Sequence, residues 1–155
     1  MYLLMAYVIL DKIGKDQHIE SIVATTDLVN GQWVALGALQ ADGEARMATP
    51  SGDQEKELVL HVSNGLVYGD RENELDYKLK AGKVGRGYVV RTGNTVSITF
   101  DGVTGTPVVG AKVNPSATGF DIVDGSETAG KIHGEIIAID VDAIAGKMAV
   151  IRISA

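Results

Sequence analysis

A chain of 155 residues with 45% hydrophobic and 22% charged content has the balance of a globular domain, and a domain of this length buries roughly 70% of the surface its unfolded form exposes. Its net charge of −6, from 14 basic and 20 acidic residues, works against a sequence-independent grip on nucleic acid or an anionic membrane, which relies on Lys and Arg meeting phosphate. The absence of cysteine excludes disulfides and thiolate metal sites, and fits a reducing cytoplasm or a particle assembled there.

The opening run from Met1 to Leu10 is apolar, yet it has no basic start, and Asp11-Lys12 stand where small cleavage-site residues would be. It is also shorter than the roughly 20 residues that cross a bilayer. Ala6 to Leu10 is therefore predicted to be the first strand, with a hydrophobic arm before it. His18 to Ala24 and Gln32 to Leu39 follow as strands, the latter apolar on both faces by the period of two and so predicted to be buried on both sides. Residues 40–57 turn polar, with Asp42-Gly43, Pro50 and Ser51-Gly52, and are predicted to form an exposed excursion.

Leu58 to Val62 is the next strand. Asp70 to Lys80 is the most charged window, with Leu75 and Leu79 spaced for either one short helix or a tethered loop. Thr95 to Phe100 alternates cleanly, with Val96, Ile98 and Phe100 predicted inward and Thr95, Ser97 and Thr99 outward. Gly119 to Val123, Gly130 to Val141 and Lys147 to Ile153 complete the strands. Five Asn-Gly or Asp-Gly pairs, at 30–31, 42–43, 64–65, 101–102 and 124–125, are the dipeptides that type I′ hairpins favour, because both central residues need positive φ. The fold class is therefore all-β, antiparallel hairpins forming a small barrel or sandwich, with at most one or two short helices. One β-rich domain over 1–155 is expected, and a division into an N-terminal lobe, 1–80, and a C-terminal barrel, 81–155, stays open.

Little in the chain points to chemistry. Gly82-Lys-Val-Gly-Arg-Gly87 could let backbone N–H groups approach a phosphate, but the strand, helix and Gly-Lys-Ser/Thr order of a nucleotide loop is missing, and a strand entry with tight bends fits better. Asp140 and Asp142 share one strand face without a third oxygen ligand nearby in sequence. His18, His61 and His133 are separated, so gathering around zinc has no support from spacing. No Gly-x-Ser-x-Gly elbow exists, and carboxylate pairs such as Glu20 with Asp27 or Glu135 with Asp140 fit a solvated β surface better than acid–base catalysis. Trp33, in a doubly apolar run, is predicted to anchor a core or an interface. No catalytic residue, metal ligand or cofactor is expected, and the chain is not expected to be an enzyme.

Several stretches, in a consistent order, carry a resemblance: Ala6-Tyr-Val-Ile-Leu-Asp-Lys12, Gln17-His-Ile-Glu-Ser-Ile-Val23, Asp27-Leu-Val-Asn-Gly-Gln-Trp-Val-Ala-Leu-Gly37, and Lys80-Ala-Gly-Lys-Val-Gly-Arg-Gly-Tyr-Val-Val90 running on to Phe100. With Gly130 to Ile139 and Met148 to Ile153, they resemble tailed-bacteriophage head decoration, or capsid cement, proteins. The resemblance implies a structural protein of the virion, assembled in the host cytoplasm, that binds the outer capsid surface, contacts the major capsid protein and forms a homotrimer. Its contacts are expected from the apolar arm, Met1, Tyr2, Leu3, Leu4 and Met5, and from the excursion, Met47 and Pro50. The rival readings are a stand-alone β-barrel binding module for a small ligand or peptide, and a hydrolase or lyase on a β scaffold.

Overall fold

The computed structural model describes residues 8–13, 17–41, 43–63, 78–123, 130–142 and 146–155, and among these every regular element except one 3-10 turn, Phe100–Gly102, is a β-strand. The N-terminal half supplies β1 (Val8–Lys12), β2 (Ile19–Val23), β3 (Leu28–Val29), β4 (Trp33–Leu39), β5 (Arg46–Pro50), β6 (Leu58–His61) and β7 (Lys78–Leu79). The C-terminal half supplies β8 (Val84–Tyr88), β9 (Thr95–Thr99), β10 (Val103–Thr104), β11 (Lys112–Ser116), β12 (Gly119–Ile122), β13 (His133–Asp142) and β14 (Gly146–Ser154). The fold is all-β, as its sequence predicts.

Strands β2, β5, β4, β6 and β8 close a five-stranded barrel in that order, and a seven-stranded sheet runs β1-β9-β14-β13-β11-β12-β10. A short ribbon pairs β3 with β7. The barrel is thus built from residues 19–88, not from 81–155. β8 pairs with both β2 and β6, so the chain does not divide at residue 80.

The period of two allots the apolar side chains to two cores. Val34 on β4, Val59 on β6 and Ile22 on β2 cluster with Leu28, Ala48 and Leu79 inside the barrel. Their neighbours Trp33, Ala35, Leu58 and Leu60 point the other way and share a larger core with Val96, Ile98, Phe120, Ile136 and Ile151 of the sheet. Alternate residues of one strand therefore feed different cores, which is why Trp33, Val34 and Ala35 are all buried. Toward its end β4 opens to solvent, and Gly37, Ala38 and Leu39 are exposed.

The polar stretch 40–57 is not wholly an excursion. Its centre, Arg46–Pro50, forms β5, parallel to β2 and antiparallel to β4, with Ala45 and Ala48 buried. A barrel this narrow accepts alanine at its inward position, so the strand lacks the large apolar residues that mark its neighbours. Phe100 leaves the strand for the 3-10 turn and is only partly buried, so Phe100→Ala should cost less than the about 3–5 kcal/mol of a fully buried phenylalanine. Thr95, Ser97 and Thr99 are buried too, contrary to the expected wet face, because β9 is flanked by β1 and β14.

Glycine does most of its work on β8. An ideal Cβ on Gly87 would lie 2.5 Å from Val59 Cγ2 and 3.3 Å from Ile22 Cγ2, and one on Gly85 would collide with Leu79. The Gly-Arg-Gly sequence keeps the barrel narrow. Val59 is β-branched and cannot swing aside freely. Gly87→Ala should therefore destabilise by about 1–3 kcal/mol in chemical unfolding through overpacking, and an unchanged midpoint would show that Val59 yields.

Candidate interaction surfaces

The sequence-predicted chemical groups are dispersed by the fold. His18 Nε2 meets Glu20 Oε1 at 2.8 Å on the surface, and His133 Nδ1 donates to the Gly130 carbonyl at 2.9 Å. His61 lies in the barrel wall and is fully buried. The carboxylates separate likewise: Asp27 faces Lys80 at 3.8 Å, and Glu135 faces Lys112 at 3.6 Å. Among the described residues no group of three or more His, Asp or Glu side chains stands close enough to hold a metal ion.

His61 sits in a closed network. Its Nδ1 is 2.9 Å from the Val29 carbonyl and its Nε2 is 2.8 Å from Ser63 Oγ. A carbonyl only accepts, so Nδ1 carries the proton, and the Ser63 hydroxyl donates to the bare Nε2. Ser63 Oγ in turn accepts from the Arg86 N–H at 3.1 Å, while Asn30 holds the Ser63 backbone N–H and carbonyl at 2.8 and 3.0 Å. Serine, imidazole and orienting carbonyl stand in the order of a nucleophilic dyad. Their burial, with Gly85 packed over Nε2, makes them instead a latch joining β3, β6 and β8. Burial pushes the His61 ring down to about 4 from the ordinary 6.5, opposed by its hydrogen bond to Val29.

Among the described residues, two shallow depressions on the surface stand out. One, of about 220 Å³, lies across the adjacent strands β1, β9, β14 and β13 and includes Asp11, Ser97, Asp140 and Met148. There the Ser97 hydroxyl donates to Asp11 Oδ2. The other, of about 200 Å³, lies between Gln54 and Leu58 on one side and Lys131 and Ile132 on the other. Both are smaller than the roughly 300–1,000 Å³ of small-molecule pockets.

Exposed apolar side chains are the more informative feature. Val108 and Val109 crown a loop between Gly105 and Gly110, with the Gly110 N–H donating to the Ile136 carbonyl at 2.8 Å and the Ala111 N–H to that of Val108 at 3.1 Å. Gly105 and Gly110 adopt φ of 110° and 93°, which turn the loop at both ends. The short Pro-Val-Val run between two glycines was the sequence signal for this tip. On the barrel, Val84 and Ile19 are exposed, and Met47, in the same strand row as Val84, is half-buried and accepts a hydrogen bond from Gln40 Nε2 at its Sδ, 3.1 Å away. Pro50, the other expected contact in this segment, is half-buried opposite Val34. Met1, Tyr2, Leu3, Leu4 and Met5 lie outside the described residues.

Among the described residues no helix is long and apolar enough to cross a membrane. No family model matches the chain, and no curated protein matches it.

Proposed function

We propose that this chain is a structural virion protein that binds the outer surface of an icosahedral phage capsid and stabilises it by added contact, without catalysing a reaction. The observation that carries the reading is the loop tip, where Val108 and Val109 are 55% and 64% exposed on a hydrogen-bonded backbone. An apolar knob already held in one shape loses little conformational freedom on docking, so the burial it gains is not offset by ordering cost.

On this reading the partner is the major capsid protein, met on the outside of the head after assembly in the host cytoplasm, and contact between copies gives a homotrimer. About 1,600 Å² of total buried surface suffices for one stable attachment, and repetition over the shell multiplies it. Mixed with undecorated heads and pelleted, the purified chain should co-sediment at micromolar concentration and raise the heads' resistance to heat and low salt. The Val108→Asp, Val109→Asp double variant should stay in the supernatant. Failure of the wild type to co-pellet would reject the capsid role and promote the ligand-binding module.

A further inference from the structure

We infer that the outer wall of the barrel, where β8, β2 and β5 lie side by side, is a docking face for a protein surface rich in carboxylates. The inference deepens the capsid reading, resting on it for the partner's identity and not for the partner's chemistry.

Strand register assembles this face from residues far apart in sequence. Val84 on β8 pairs with Val23 on β2, and Val23 pairs with Met47 on β5, giving one apolar row across three strands. The next row along β8 and β2 pairs Arg86 with Ser21, and the row beyond it pairs Tyr88 with Ile19. Val23 is buried and Tyr88 belongs to the larger core, so the part of the wall open to a partner is Val84, Arg86 and Ile19, with Met47 half-buried at its edge. Val84 is 59% and Ile19 43% exposed, and Arg86 and the adjoining Lys83 are exposed as well.

Charge decides what fits there. The whole chain carries −6, yet the one carboxylate on these three strands is Glu20, which alternates with Ile19 and Ser21 and is already paired with His18. Arg86 stands between two apolar rows and Lys83 at the patch edge. A guanidinium so placed can bind a carboxylate through paired N–H donors, and apolar neighbours that exclude water strengthen that bond. Nucleic acid fits poorly, since its binding draws on many phosphate contacts and the rest of the chain is acidic. The occupant is therefore an apolar protein ridge flanked by Asp or Glu.

A binding assay separates this chemistry from the partner's identity. The full chain is passed over an immobilised glutamate–tyrosine copolymer, with a lysine–tyrosine copolymer as control, and the same proteins are mixed with undecorated heads. Wild type should bind the acidic copolymer in preference to the basic one, more weakly as salt rises. Arg86→Glu and, separately, Val84→Ser should bind it about tenfold or more weakly, which is about 1.4 kcal/mol, with unchanged circular dichroism and melting. Equal binding by wild type and both variants, or no preference for the acidic copolymer, overturns the inference. Heads that capture wild type and both variants equally also overturn it while leaving the capsid reading intact. Heads that capture none, with the copolymer difference retained, reject the capsid reading and uphold the docking face. A wild-type mass in light scattering that rises with concentration and reverts to monomer in Arg86→Glu would assign the wall to a second copy, and overturn the inference.

Discussion

Replacing Trp33 with alanine is expected to lower the free energy of unfolding by about 3–5 kcal/mol, the range for deleting a large aromatic from a close-packed core. Trp33 has no exposed surface, and its ring meets that of Phe120 edge-on, with centroids 5.8 Å apart and planes at 89°. It comes from the barrel and Phe120 from the seven-stranded sheet, so the pair sits where the two layers meet. The loss should appear as one shifted cooperative transition in urea, because barrel and sheet share this core. Two separated transitions would show instead that the layers unfold independently. Trp33→Phe should cost clearly less, since the ring edge is kept and the buried Nε1 has no hydrogen-bond partner among the described residues to lose. Equal losses in both variants would mean that the indole itself makes an essential contact.

Acid should weaken the fold through His61. Its ring is held at about 4 when folded against 6.5 ordinarily, so the unfolded chain takes up a proton that the folded chain resists. The sign follows from linkage: the group's contribution is fully present above about pH 6.5, falls as the pH drops toward 4, and changes no further below that. At about 1.4 kcal/mol per pKa unit the whole loss is roughly 3 kcal/mol. Charging the ring gives Nε2 a proton, so Ser63 Oγ would have to accept from both His61 and the Arg86 N–H in a site closed to water. Carboxylates elsewhere add their own pH dependence, which a comparison with His61→Gln removes. That variant should be less stable than wild type at pH 7, and the difference should shrink between pH 6.5 and 4. A difference constant over that range would show that His61 does not titrate there.

Strand positions were largely legible in the sequence. The runs at 19–23, 33–39 and 95–99 alternate or repeat apolar residues in a way that only extended chain can bury, and glycine-bearing dipeptides separate them. β5 escaped because a narrow barrel asks for alanine at its inward position, a residue that signals no particular element. The hairpin reading of the turn dipeptides was partly misleading. Gly43 does lie between the paired strands β4 and β5, but Asn30-Gly31 joins β3 to β4, which pair with other strands, and Asp101-Gly102 falls in a 3-10 turn. Among the described residues only glycines take positive φ, so Asn30 and Asp101 do not form the I′ geometry.

The sequence by itself determined that the described part of this chain is nearly all β, where many reversals fall, and that its charge disfavours polyanions, because these follow from local backbone preference, side-chain periodicity and composition. Only the tertiary structure decided which strands are neighbours: that β2 lies between β5 and β8, and that β1 joins β9, more than 80 residues away in sequence. Local preference fixes a strand and its two faces, but pairing is settled by which combination buries both faces at once. That is why Trp33 looked outward from a barrel toward Phe120, and why Val84, Met47 and Arg86 came to share one surface, without any spacing in the sequence to announce it.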